Sequence, residues 1–268
     1  MAEGGRVRAL LVEDNPLSQE VARKMLVRLG CRVDAAASGE DALALLERGP
    51  FDIVFLDCDL PGLSGFETAM EVRRRENGGP RRPIVGVTAH GAPADRERCL
   101  AAGMDDHLSK PVTLDGFRRV LARWAGVEDS GGCVAPAVAA LTVATACDEA
   151  PVLEEARLAA LARLPGGHAM LGRLVDRLME AAPADLARIE DAASGGDADG
   201  LREAAHALRG ACLNLGVSGL AALLTRVEEL AASGDLERAA TAATGVRAEI
   251  ARARQALAEY LGRGARRS

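Results

Sequence analysis

Apolar and polar positions follow different rhythms in the two halves of this chain. Between residues 7 and 125, short apolar runs at 7–12, 31–35, 53–57, 84–88 and 107–109 alternate with amphipathic stretches near 16–29, 39–48, 65–76, 93–102 and 114–125. Runs this short read as strands, and the longer stretches repeat apolar residues at helical spacing. Five strand–helix pairs in succession predict a parallel sheet covered by helices on both faces. From residue 153 onward the rhythm is helical throughout, over 153–164, 167–192, 197–215, 217–232 and 235–262. Breaks rich in Gly, Pro, Ser and Asp separate these stretches, and short loops between long amphipathic helices predict an antiparallel bundle.

Residues 127–150 fit neither rhythm. Ser, Gly and Pro are followed by a chargeless Ala/Val/Thr run from 133 to 147, where Pro136 and the β-branched residues spoil a helix. The expectation is a linker, spanning roughly 25–30 Å as a free coil.

Composition narrows the functional classes. A length of 268 residues has room for two domains. With only four Phe, one Tyr and one Trp, the cores must be Ala, Leu and Val, which suit helices and parallel sheets. The formal net charge of −6 gives no basic excess, so nucleic-acid binding is not expected. The six cysteines lack C-x-x-C spacing, as free thiols in a reducing compartment would. No signal-peptide core is visible at the N-terminus, and no stretch approaches the roughly 20 apolar residues of a membrane span. A cytoplasmic protein with no membrane contact is expected. Lys24 and Lys110 are the only lysines among 33 basic residues. A lysine that survives so strong an arginine bias points to a needed ammonium at Lys110.

The candidate chemistry lies at strand ends. Glu13 and Asp14 follow the first run, Asp57 closes the third, Thr88 closes the fourth and Lys110 follows the fifth. Ligands on parallel sheets bind beyond the carboxyl ends of the strands. Three carboxylates suit a hard divalent cation, while an ammonium and a hydroxyl can neutralise and hydrogen-bond phosphoryl oxygens. Singly, such an Asp is a turn or cap residue and such a Glu-Asp pair is solvated surface. Five such residues at one end of the sheet point to a carboxylate that accepts phosphate.

In the second half, a helix at 100° per residue places Leu201, Ala204, Ala205, Leu208, Cys212 and Leu215 on one apolar stripe. His206 lies about 200° from Leu208 and is expected to be exposed. Its helical neighbours are Arg202, Arg209, Gly210 and Leu213. Two guanidiniums would offset phosphate charge. Gly210, which costs the helix about 1 kcal/mol against Ala, leaves room beside the imidazole. On residue chemistry alone, a phosphate-carrying histidine and a solvated surface histidine are equal readings. His90 and His168 are given no role.

The set Glu13, Asp14, Asn15 and Pro16, then Asp57-Cys58-Asp59-Leu60-Pro61 with Gly65, then Thr88-Ala89 and Lys110-Pro111, is specific in order and spacing. Residues 5–126 resemble a response-regulator receiver domain. The resemblance implies a flavodoxin-like, doubly wound (βα)5 sheet in which Asp57 is phosphorylated. It further implies Mg2+ held by Glu13, Asp14, Asp57 and the backbone carbonyl of Cys58, with Lys110 and Thr88 on the phosphoryl oxygens. Two residues depart from the family: His107 stands at the switch position usually held by an aromatic residue, and Asp59 adds a negative charge beside the acceptor. Residues 151–262 resemble a histidine phosphotransfer (HPt) four-helix bundle through His206-Ala207-Leu208-Arg209-Gly210, Asn214-Leu215-Gly216 and Leu220 with Glu228. His206 would then carry phosphoryl, supported by Arg202, Arg209 and Gly210, with Arg209 in place of the usual lysine.

The expected fold class is therefore α/β followed by all-α. The resemblance implies a two-component phosphorelay intermediate without an ATP-binding kinase domain. A sensor histidine kinase would load Asp57, and His206 would exchange phosphoryl with a response-regulator receiver downstream. Two alternatives stand beside it: a receiver that switches access to His206 for a separate pathway, and a non-catalytic docking scaffold.

Overall fold

Stretches 53–57 and 84–88 are apolar at nearly every position, as strands covered on both faces must be. A computed structural model describes residues 7–76, 78–88, 93–126, 151–164 and 166–265. It places these two stretches at the centre of a five-stranded parallel sheet. The strands are β1 (Arg8–Val12), β2 (Arg32–Ala36), β3 (Ile53–Asp57), β4 (Ile84–Thr88) and β5 (Asp106–Ser109), in the order β2-β1-β3-β4-β5. Every residue of β3 and β4 is buried. The intervening helices are α1 (Pro16–Arg28), α2 (Gly39–Arg48), α3 (Gly65–Glu76), α4 (Pro93–Ala101) and α5 (Leu114–Trp124).

Strand alternation sends Leu10, Val12, Val54, Leu56 and Ile84 into one core with Ala42, Ala69 and Met104. On the alternate positions Phe55 meets Phe117 of α5 edge-to-face, with ring centroids 4.9 Å apart. The register pairs Val12 with Leu56, Asp57 with Val87 and Thr88 with Ser109, so four strands end level with one another. The strand order reverses between β1 and β3, which opens a crevice at their carboxyl ends.

The second unit is helical: α6 (Glu155–Ala162), α7 (Gly167–Gly195), α8 (Ala198–Leu215), α9 (Ser218–Ala232), α10 (Leu236–Ala243) and α11 (Val246–Ala265). The apolar stripe of α8 is buried at Leu201, Ala204, Ala205, Leu208, Cys212 and Leu215. The stretch expected as one helix over 235–262 is two, because the chain breaks at Thr244 and Gly245. Helix α7 continues through Pro183. Helix α8 ends at Gly216, whose φ of +76° is a left-handed cap that glycine adopts at least cost. Arg157 of α6 donates from Nε to the Asn214 carbonyl at 3.1 Å, and Glu154 N–H donates to the Gly216 carbonyl at 2.7 Å. Together they satisfy the end of the helix that carries His206.

The described residues form two compact units, one on either side of the 127–150 segment. That segment, expected as a linker, lies outside the described residues, as does His90. Among the described residues, no helix is long and apolar enough to cross a membrane.

Candidate functional site

Local signals set the acidic end of the sheet. Asn15 caps α1, its side chain accepting from the backbone N–H of Leu17 and Ser18, with Pro16 at the first helical position. This holds Glu13 and Asp14 in the short turn between β1 and α1. Gly65 opens α3 directly beside Asp57. A Cβ there would fall on the Asp57 carbonyl oxygen and 2.8 Å from Cys58 Cα, so only glycine lets the helix come this close. Cys58 N–H donates to the Val87 carbonyl at 3.0 Å, and the Cys58 carbonyl accepts from Gly65 N–H at 3.2 Å.

Glu13, Asp14 and Asp57 each bring one carboxylate oxygen within 4.8 Å of the others. Glu13 and Asp57 are buried and Asp14 is exposed. Lys110 reaches in from beyond β5, bonding Asp57 Oδ2 and lying 3.4 Å from Glu13 Oε2. Its backbone N–H donates to the Thr88 carbonyl at 2.7 Å, which ties the ends of β4 and β5 together. Thr88 is buried beside them. Burial pushes the Glu13 carboxyl up to about 8; Lys110 pulls it down, but Asp57 and Asp14 add to the rise. Burial works against the Lys110 ammonium too, yet Asp57 and Glu13 outweigh it and hold its pKa above the ordinary value. Three acids with one buried ammonium among them leave uncompensated negative charge. An all-oxygen site of this kind fits a hard divalent cation.

Asp59 is exposed, and its N–H donates to Asp57 Oδ1 at 3.1 Å. His107 is half-buried, with its Nδ1 buried and lacking a hydrogen-bond partner. It faces a separate cavity of about 510 Å³ between β5 and α5, bordered by Arg119 and Arg123. His168 is exposed at the start of α7.

On the bundle, the structure corrects one expectation and gives Arg209 a partner. His206 is not fully exposed: its side chain keeps 19% of its surface, because Glu228 of α9 covers one edge of the ring. Glu228 Oε1 lies 2.7 Å from His206 Nδ1. Arg209, expected as phosphate support, is paired with Glu228 and lies beside the imidazole, its Nη2 3.3 Å from His206 Nδ1. It is buried at 4% exposure, with Nε donating to Glu228 Oε2 at 2.6 Å. Burial pushes the Glu228 carboxyl up, but the bonds from His206 and Arg209 outweigh it and hold the group below its ordinary value. An ionised carboxylate can only accept, so Glu228 favours the tautomer with the proton on Nδ1, the nitrogen that Arg209 Nη2 also approaches. Arg202 is half-buried. The Cβ position of Gly210 faces open space, and the Gly210 carbonyl accepts from Asn214 Nδ2 at 3.0 Å. Glu228 has a part here that helical geometry on α8 could not reveal; its sequence signal was its place in the motif after Leu220.

The geometry defines a (βα)5 sheet with an acidic cleft, joined to a helical bundle that presents a carboxylate-held histidine. Comparison with known proteins places both halves. Residues 9–122 match the family model of the response regulator receiver domain, and residues 173–256 match that of the Hpt domain. The chain carries a receiver domain followed by an Hpt domain, the parts of a two-component phosphorelay. The virulence sensor protein BvgS of Bordetella pertussis is 33% identical over 206 residues, covering 75% of this chain and 16% of that protein. The sensor histidine kinase RcsC of Salmonella typhi is 38% identical over 116 residues, covering 43% of this chain and 12% of that one. The chain thus spans less than a fifth of the length of these curated relatives. Among solved structures, the receiver domain of sensor histidine kinase PA1611 from Pseudomonas aeruginosa PAO1, with magnesium in its active-site cleft, is 44% identical. It covers 46% of this chain and 99% of that one, with a TM-score of 0.42.

Proposed function

We propose that Asp57 accepts a phosphoryl group from the phosphohistidine of a sensor histidine kinase, and that His206 exchanges phosphoryl with the aspartate of a response-regulator receiver. The observation that carries this reading is the convergence of Glu13, Asp14, Asp57 and Lys110 at one end of the sheet. Glu13, Asp14, Asp57 and the Cys58 carbonyl would hold Mg2+. When bound, the cation screens the repulsion between the Asp57 carboxylate and the incoming phosphoryl oxygens. Asp57 Oδ attacks phosphorus as the donor P–N bond breaks, and the leaving imidazole takes up a proton. Lys110 and the Thr88 hydroxyl hold the oxygens that carry the developing charge.

At His206, the Glu228 carboxylate favours the proton on Nδ1. That tautomer directs the Nε2 lone pair outward as nucleophile and stabilises the positive ring formed on phosphorylation. Arg209 acts through Glu228, keeping it ionised and aimed. The N–P bond forms as the acyl-phosphate O–P bond breaks, which returns the donor aspartate as a carboxylate.

The test is to load the chain with labelled acetyl phosphate and Mg2+ and then locate the label. Aspartyl phosphate is lost in alkali, whereas phosphohistidine survives alkali and is lost in acid. Alkali-labile label absent from Asp57→Ala supports the acceptor assignment. Alkali-stable label lost in both Asp57→Ala and His206→Ala would add transfer between the two sites. Undiminished total labelling in Asp57→Ala would refute the proposal.

A further inference from the structure

Among the described side chains of α4, Cys99 is the only buried one. Its Sγ lies 3.8 Å from Sγ of Cys58, the residue that follows the acceptor Asp57. Gly86 on β4 makes the space: a Cβ there would lie 2.8 Å from Cys99 Sγ, 3.2 Å from Cys58 Sγ and 2.7 Å from Met104 Sδ. The other described cysteines, Cys31 and Cys212, have no part in this cluster. A helix whose one buried described side chain is a thiol, set on a second thiol beside the reactive carboxylate, is poised to be fixed there covalently.

We propose that Cys58 and Cys99 form a disulfide under peroxide and that this bond slows phosphorylation of Asp57. The second half of the inference rests on the reading of Asp57 as phosphoacceptor. A disulfide needs its sulfurs about 2.05 Å apart, so each must move by under about 1 Å, a shift shared between side-chain rotation and the Cys58 backbone. In the first step one thiol takes an oxygen atom from the peroxide. The peroxide O–O bond breaks, the sulfur becomes a sulfenic acid, and the peroxide leaves as alcohol or water. In the second step the other sulfur displaces hydroxide. The S–S bond forms, the S–O bond breaks, and the thiol proton leaves with the hydroxide as water.

The consequence reaches Asp57 through a single peptide unit. The Cys58 backbone is clamped on both sides, by Val87 of β4 and by Gly65 of α3. Drawing its side chain towards α4 strains that clamp and turns the carbonyl assigned to the cation.

The experiment treats the full chain with hydrogen peroxide, blocks remaining thiols, maps peptides by mass spectrometry and measures loading from acetyl phosphate with Mg2+. The expected product is a Cys58–Cys99 cross-linked peptide lighter by two hydrogen atoms. Loading should fall by roughly fivefold or more, the lower end of ordinary coupling between linked sites. Dithiothreitol should restore it. Cys99→Ala, and independently Cys99→Ser, should load at the unoxidised rate and ignore peroxide. A chain that loads Asp57 but forms no such cross-link overturns the inference, as does a cross-link that leaves loading unchanged or a Cys99 variant that stays peroxide-sensitive. A chain that forms the bond yet never loads Asp57 overturns instead the functional reading beneath it.

Discussion

At the scale of single residues, both sites place one buried cation against carboxylates, and they use it in opposite ways. Lys110 is a compact ammonium reaching Asp57 and Glu13, where it can move between carboxylate and phosphoryl oxygens. A guanidinium is larger, planar and rigid, and it does not fit that enclosed position. Lys110→Arg should therefore keep the charge and lose the function: Asp57 labelling should fall by roughly 10²-fold or more. Acetyl phosphate loading measures this, and labelling within a few-fold of the parent chain would show that charge alone suffices. Arg209, by contrast, is paired with Glu228. The Glu228 carboxyl sits below its ordinary 4.5 in the folded bundle, so the unfolded chain binds its proton more readily. Its stabilising contribution is complete above about pH 4.5 and is lost as the pH falls through the lowered folded value. Glu228→Gln should flatten this acid limb. Urea midpoints at pH 7 and pH 4 should differ less in the variant than in the parent, and an equal difference would place the acid sensitivity elsewhere.

At the scale of elements, two glycines that look alike in sequence predict opposite results. A Cβ at Gly65 collides with the backbone of Asp57 and Cys58, and none of those atoms can rotate away. Gly65→Ala should cost about 2–3 kcal/mol and impair cation binding, as read by thermal melting and Mg2+ titration. A Cβ at Gly210 meets nothing, so Gly210→Ala should stabilise α8 by about 1 kcal/mol. If the gap admits a partner's active site, the same change should slow phosphoryl exchange at His206; an unchanged rate would leave Gly210 without that role. Sequence made most of these elements legible because each buries a face of its own. Continuous apolar runs gave β3 and β4, and the helical stripe from Leu201 to Leu215 gave α8. What stayed hidden depends on partners distant in sequence. A wheel drawn on α8 cannot show that Glu228, on another helix, covers His206 and draws in Arg209. The break between α10 and α11 was masked by an alanine-rich amphipathic pattern that runs through it, with Gly245 as its one local sign.

At the scale of the whole molecule, each unit has its own core. The sheet closes around Phe55, Phe117 and Met104, while the bundle closes around Leu158, Leu161 and Met170. A ligand stabilises only the cooperative unit that holds it, by RT ln(1 + [L]/Kd), or about 2.7 kcal/mol at a hundredfold excess over Kd. The three carboxylates offered to Mg2+ all belong to the sheet unit. Calorimetry of the intact chain should therefore show two transitions, with saturating Mg2+ raising one and leaving the other in place. Asp57→Asn should reduce that rise by removing one anionic ligand. Acid should act on the other transition through Glu228, while Glu13, held near 8, makes the sheet transition and its response to Mg2+ depend on pH as well. If Mg2+ instead raised both transitions together, the halves would be energetically coupled, and cation binding at Asp57 would then bear on the stability of the helix that carries His206.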